Sequence, residues 1–233
     1  MPRRDCVSTA SRQLALALTD ASMEAIARGL RPGMAEWEIP ALIEPVYLRE
    51  GGTAGIHFIT SMICSSVNLL FFIVRLLVTD SHINCGTLRG AGHWGYSGQI
   101  HRTYSLGEGP TPEWKALHEV AVDMLLELEA LIKDGVTTGE VEDAANLVHR
   151  RGYTILDDLL HGTSQTPPII QTGETRRHVS RDITFRENMT IVIQPNVMTL
   201  DERMGVQFGE TFRVTRDGLE RFNAFPREWV VCG

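Results

Sequence analysis

The chain is poor in the features that mark several large classes of protein. Its 233 residues contain four cysteines, Cys6, Cys64, Cys85 and Cys232. They stand far apart, with neither a CxxC pair nor a Cys/His cluster at zinc spacing, so they are expected to be reduced thiols in a cytoplasmic protein. Long hydrophobic runs are missing too. The strongest, Leu69 to Val78, is interrupted by Arg75 and is only about half of the roughly 20 residues that cross a bilayer, which makes it buried core rather than a membrane span. Arg3, Arg4 and Asp5 are followed by no apolar stretch of signal-peptide character. An excess of positive charge is absent: 22 basic and 29 acidic residues, spread along the chain, give a net charge of -7. That balance opposes the tracking of phosphates, so nucleic acid is not an expected partner. There is no GxSxG elbow, P-loop or dinucleotide fingerprint, and Gly90, Gly92 and Gly95 lack the strand and spacing a phosphate loop requires.

What is present is a chain with 43% apolar residues, long enough to bury a full core, and a single domain over residues 1–233 is expected. Residues Ser8 to Leu30 carry a broad apolar face at helical spacing, with Gly29 near the stop and Arg31, Pro32 and Gly33 breaking the pattern. A second helix is expected from Ala35 to Arg49, then a strand from Ile56 to Thr60. The same order returns about a hundred residues later. Pro112 stands at a first helical position behind Thr111, and Leu117, Val120, Ala121, Met124, Leu125, Leu128, Leu131 and Ile132 follow a helical period. Gly135 stops that helix, and Thr137 with Glu140 has the spacing of a capping box for a helix running to Arg151. Gly33 and Gly135, and likewise Glu38 and Glu140, are separated by equal offsets, which predicts an internal pseudo-twofold repeat. Strands are expected at Tyr96 to Leu106, Met189 to Val197, Gly205 to Phe208 and Thr211 to Thr215, with a turn at Arg216, Asp217 and Gly218.

Four segments resemble one known family in the right order. Gly95-Tyr96-Ser97-Gly98-Gln99-Ile100-His101-Arg102-Thr103-Tyr104 resembles its Gly-Tyr-x-x-Asp-x-x-Arg-Thr-Phe strand, and His161-Gly162-Thr163-Ser164-Gln165 its His-Gly-x-Ser-His loop. Ile191-Val192-Ile193-Gln194-Pro195 resembles its Glu-Pro strand, and Gly205-Val206-Gln207-Phe208-Gly209-Glu210 its Gly-Val-Arg-x-Glu-Asp segment. The family is that of creatinase, aminopeptidase P and methionine aminopeptidase. The resemblance implies an α+β pita-bread fold, a pseudo-twofold curved antiparallel sheet covered by helices. The separate N-terminal domain that aminopeptidase P and creatinase carry is not expected here. Five side chains of the family, two aspartates, one histidine and two glutamates, hold two divalent ions. Carried over by position they fall on Leu88, Gln99, Gln165, Gln194 and Gly209. A neutral amide is a weak ligand for a hard cation, so no metal and no cofactor are expected. The segment 74–90, which contains Leu88, departs from the family pattern.

Strand alternation places His101 and Thr103 on the face of Gln99, Gln207 on the face of Gly209, and Glu210 on the other. The expected pocket holds Gln99, His101, Gln165, Gln194 and Gln207, with His161 on a loop above it. Its chemistry is neutral and amide-rich. Gln99, Gln165, Gln194 and Gln207 are the substrate-binding candidates, and His161 and His101 the acid-base candidates. Creatinase is the family's precedent for metal-free hydrolysis, although the histidine it carries before the first aspartate counts here to Phe71. Two readings follow: a metal-independent enzyme cleaving a C–N or related bond of a small polar metabolite, or a binding module in which the histidines brace the structure and amides fill space left by lost ligands. A metal-dependent Xaa-Pro-type aminopeptidase conflicts with all five positions. A homodimer with no membrane association is expected.

Overall fold

The computed structural model describes residues 3–35, 38–49, 82–83, 88–89, 98–155, 158–162, 166–172 and 181–233. The strand expected at Ile56 to Thr60 and the apolar run Leu69 to Val78 lie outside them. Two compact units are present, Met1–Pro110 with Asn223–Gly233, and Thr111–Phe222.

The first unit contains α1 (Arg3–Gly29), α2 (Ile39–Arg49), β1 (His82–Ile83), β2 (Leu88–Arg89), β3 (Gln99–Ile100) and β4 (Tyr104–Leu106), and ends in β12 (Val230–Cys232). Leu18, Met23, Ile26 and Leu30 recur at helical spacing on and just beyond α1 and bury against Ile39 and Ile43 of α2, Ile100, Tyr104 and Phe225. Mid-helix Thr19 and Ser22 are buried without loss because their hydroxyls donate to the carbonyls of Ala15 and Leu18, both at 2.7 Å. The continuous strand expected from Tyr96 to Leu106 is in fact broken between β3 and β4 at residues 101–103. β2 pairs antiparallel with β3, setting Leu88 opposite Ile100 and Arg89 opposite Gln99. β4 pairs antiparallel with β1 and parallel with β12.

The chain's return to this unit is fastened by Arg102, which is fully buried. Its guanidinium donates to the carbonyls of Pro226 at 2.6 Å, His101 at 2.8 Å and Phe225 at 3.1 Å. Nearby, Asp20 accepts from Asn223 Nδ2 and from the Ala224 amide. Burial pushes the Asp20 carboxyl above its ordinary range, opposed by those hydrogen bonds and by the charge of Arg102.

The second unit comprises α3 (Pro112–Leu131), α4 (Thr138–Ala144), α5 (Asn146–Arg150), β5 (Tyr153–Ile155), β6 (Leu160–Gly162), β7 (Thr166–Ile170), β8 (Thr190–Ile193), β9 (Val197–Thr199), β10 (Glu210–Val214) and β11 (Leu219–Arg221). Its main sheet has the order β11-β10-β8-β6-β7, every pairing antiparallel, and β5 pairs with β9 apart from it. α3 buries the predicted Leu117, Val120, Ala121, Met124, Leu125 and Leu128. Three sequence expectations change here. The helix expected to reach Arg151 breaks at Ala145 into α4 and α5. The strand expected through Val197 stops at Ile193, because Pro195 has no N–H to give the ladder and the Asn196 amide folds back to the Gln194 carbonyl at 2.8 Å. Residues 206–208 form no strand, so the parity argument that put Gln207 on the face of Gly209 does not apply to them.

The repeat is visible in turn chemistry. Gly33 and Gly135 both adopt left-handed φ values, +86° and +95°, a region glycine enters without a Cβ penalty. Two residues on, the Ala35 amide donates to Glu38 Oε2 at 2.7 Å and the Thr137 amide to Glu140 Oε2 at 2.8 Å. Thr137 completes a full capping box by accepting from the Glu140 amide. Ala35 has no side-chain oxygen to do so, and α2 begins only at Ile39 instead of at the expected Ala35.

Arg102→Ala should lower unfolding free energy by roughly 3 to 5 kcal/mol, since it strands buried carbonyls and removes a buried charge near Asp20. Urea denaturation beside exposed Arg216→Ala, expected to stay within about 0.5 kcal/mol, checks this; equal effects would mean that Arg102 is not a structural staple.

Candidate functional site

Four of the six predicted site residues form two hydrogen-bonded pairs, one in each unit. In the first unit, Gln99 opens β3 directly after Gly98. A Cβ at Gly98 would stand 2.6 Å from Thr19 Oγ1 and 3.0 Å from Leu16 Cα, so only glycine lets the strand run this close to α1. Gln99 and His101, both buried, share a face as the alternation predicted, and Gln99 Nε2 lies 2.9 Å from His101 Nε2. With the amide nitrogen donating, His101 accepts at Nε2.

In the second unit, His161 stands in β6, whereas a loop was expected. The ladder explains the change: β6 pairs His161 with Val192 of central strand β8, and the register shift toward β7 comes only after His161. Two residues beyond Val192 on the same face comes Gln194, diagonally placed from His161, a separation that long side chains bridge. The Gln194 amide extends the ladder by one bond, donating to the Leu159 carbonyl at 2.8 Å. His161 Nε2 then meets Gln194 Oε1 at 3.2 Å and His161 Nδ1 meets the Gly162 carbonyl at 2.6 Å. His161 is 0% and Gln194 2% exposed. Which ring nitrogen carries the proton depends on the tautomer and on which way the Gln194 carboxamide is turned.

On the other side of Gln194 lies β10. Its register sets Glu210 opposite Ile193, and Gly209, just before β10, lies against Gln194. A Cβ on Gly209 would lie 2.9 Å from Gln194 Cβ and 2.9 Å from the Ile193 carbonyl oxygen. Next along the strand, Glu210 is fully buried and accepts two bonds from Arg221, at 2.6 and 2.8 Å. This carboxylate is committed to an ion pair.

Of the remaining candidates, Gln207 is buried in the second unit and Gln165 lies outside the described residues. Sequence reasoning missed two buried groups beside these segments. His118 of α3 packs edge-on against Phe208, with centroids 5.4 Å apart; its signal was a histidine inside an otherwise apolar helix face. Asn196 is 3% exposed and its Oδ1 finds no partner among the described residues. Among those residues, no group of three or more His, Cys, Asp or Glu side chains has an arrangement that could hold a metal ion.

These elements and motifs define a class. The chain belongs to metallopeptidase family M24, whose model matches residues 12–216. Its relatives include an uncharacterized hydrolase/peptidase, y4tL, of Sinorhizobium fredii, 26% identical over 231 residues, with 93% of this chain and 55% of the relative covered. Among solved structures, the X-Pro aminopeptidase of Thermotoga maritima superposes with a TM-score of 0.72 at 20% identity over 96% of this chain and 62% of that one. The prolidase of Pyrococcus furiosus gives 0.71 at 18% identity over 94% and 64%. The fold is therefore the α+β pita-bread fold expected from the motifs. The chain spans between about half and two thirds of the length of these proteins. No helix of the described residues is long and apolar enough to cross a membrane.

A carboxylate at 194, buried and facing imidazole instead of a cation, is costly. Gln194→Glu should lose at least about 2 kcal/mol of stability at pH 8 in urea titrations. An unchanged midpoint would place the Gln194 side chain in solvent and contradict the geometry above.

Proposed function

We propose that this member of the M24 hydrolase family works without metal, hydrolysing a C–N or related bond in a small polar metabolite, with His161 as acid-base residue. The observation that carries the reading is the buried His161 held at both ring nitrogens, with a neutral carboxamide at the position where the family resemblance puts a metal-binding glutamate. Gln99 and Gln194 each engage a histidine, and neither amide offers the charge a hard divalent ion selects. Gly209 offers no donor side chain at all. Such a donor set does not fit the two-ion centre implied by the resemblance.

In this reading the amides of the second unit orient the substrate, Gln165 and Gln207 adding to Gln194. Water oxygen bonds to the substrate carbon, the C–N bond breaks, and the proton taken from water goes to the departing nitrogen. His161 moves that proton, because a ring fixed at Nδ1 presents Nε2 in one orientation. His101, an acceptor at Nε2, is the second acid-base candidate. The reading includes a homodimer in the cytoplasm.

A non-catalytic binding module is the second reading, favoured by the same enclosure of His161, since a ring tied on both sides also braces β6 against β8. The metal-dependent X-Pro aminopeptidase and prolidase activities named for the structural relatives are not carried over.

The two readings part in one variant. Small polar amides, ureides and amino-acid derivatives should be screened by thermal shift, because a ligand of the folded state raises its stability, and any that binds should be assayed for turnover. His161→Ala should then lower turnover by about 10²- to 10⁴-fold while affinity changes less. Parallel loss of affinity and stability, with no turnover by the unaltered chain, would establish the binding module instead.

A further inference from the structure

The backbone at Gly209 stands close against Gln194. We propose that Gly209 is a positioning residue: its missing side chain lets β10 close on β8 so that the stem of Gln194 is pressed toward β6, which holds the carboxamide against His161. The same closure leaves no volume for a carboxylate on residue 209. This rests on the reading that His161 and Gln194 form the functional pair, and it concerns what sets that pair.

Opposed residues on antiparallel strands ordinarily keep their Cβ atoms about 4.5 to 5.5 Å apart. At 209 a Cβ would stand 2.9 Å from Gln194 Cβ, 3.0 Å from Gln194 Cα and 2.9 Å from the Ile193 carbonyl oxygen. None of these atoms is the far end of a flexible side chain, so relief requires the strands to part. The backbone of Gly209 is not in the left-handed region, so a larger residue meets a steric obstacle and no conformational one. Glycine here serves close approach. The contact is also hard to relax from below. Ile191, Val192 and Ile193 are buried on the central strand, with hydrogen bonds to β6 on one side and β10 on the other. One step further, the Glu210–Arg221 pair fixes β10 to β11. Displacing β10 at 209 therefore strains both neighbours, and the softer response is a tilt of the Gln194 side chain away from its contact with His161. A substitution at 209 thus reaches His161 through Gln194.

The test reads the His161 ring nitrogens by long-range ¹H–¹⁵N NMR at fixed pH in the resting protein. It needs no turnover, so it can fail while the functional reading stands, or succeed if His161 proves to be only a brace. Gly209→Ala should move the His161 Nε2 resonance to the position it takes in Gln194→Ala, and the double variant should add nothing beyond Gln194→Ala alone. Gly218→Ala, whose new methyl meets open space, should leave the resonance where it is in the unaltered chain. A folded Gly209→Ala protein with an unmoved Nε2 resonance overturns the proposal, as does a double variant in which the two shifts simply add. If Gly209→Ala does not fold, a crystal structure of the unaltered chain decides. An implied Cβ at 209 under 3.0 Å from Gln194 Cβ supports the closure, and one beyond 3.4 Å, ordinary contact distance, overturns it.

Discussion

A buried carboxamide must find partners for both its ends, and the second unit is arranged around that requirement at Gln194. Its backbone N–H is taken by Leu159, its side-chain oxygen stands against His161, and its stem lies against the bare backbone of Gly209. Three strands, β6, β8 and β10, therefore meet at one side chain. Unpaired in such surroundings, an amide costs a few kcal/mol. Paired, it fixes the orientation of the imidazole beside it.

Two buried charges, Arg102 and Glu210, are committed to structural partners. Arg102 is buried, but its guanidinium is spent on backbone carbonyls and its field falls on Asp20. Glu210 is buried, but both oxygens belong to Arg221. Arg102 and Glu210 each have structural partners, so neither is free to balance a reaction, and the buried Asp158 accepts from Gln171 Nε2. What is left at the candidate positions is imidazole and carboxamide, groups suited to moving a proton and orienting a polar ligand. The membership in a metallopeptidase family and this neutral chemistry together set the question the protein poses.

The parts of the fold legible in the sequence were those governed by local chemistry. Gly33 and Gly135 announced turns, Thr137 with Glu140 a capping box, and the apolar period from Leu117 to Leu128 the buried face of α3; each follows from a few neighbouring residues. What the sequence hid depends on distance between strands. Parity put Gln99 and His101 on one face, and they are bonded. It had no hold on residues 206–208, which are not a strand. His161 read as a loop residue because its motif matches a family loop, while its pairing with Val192, some thirty residues away, draws it into β6. The role of Gly209 was invisible for the same reason: an absent side chain shows its purpose only when the opposite strand is in place.

The central claim is that an M24 fold here works without its metal. Elemental analysis of the purified protein, coupled to melting with and without chelator, tests it most directly. The account predicts far less than one equivalent of manganese, iron, cobalt or zinc per chain and a melting temperature that chelator leaves unchanged, since a metal bound only to the folded state would raise it. One or two equivalents of metal, removed by chelator with a fall in melting temperature and lost on Gln194→Ala, would contradict it.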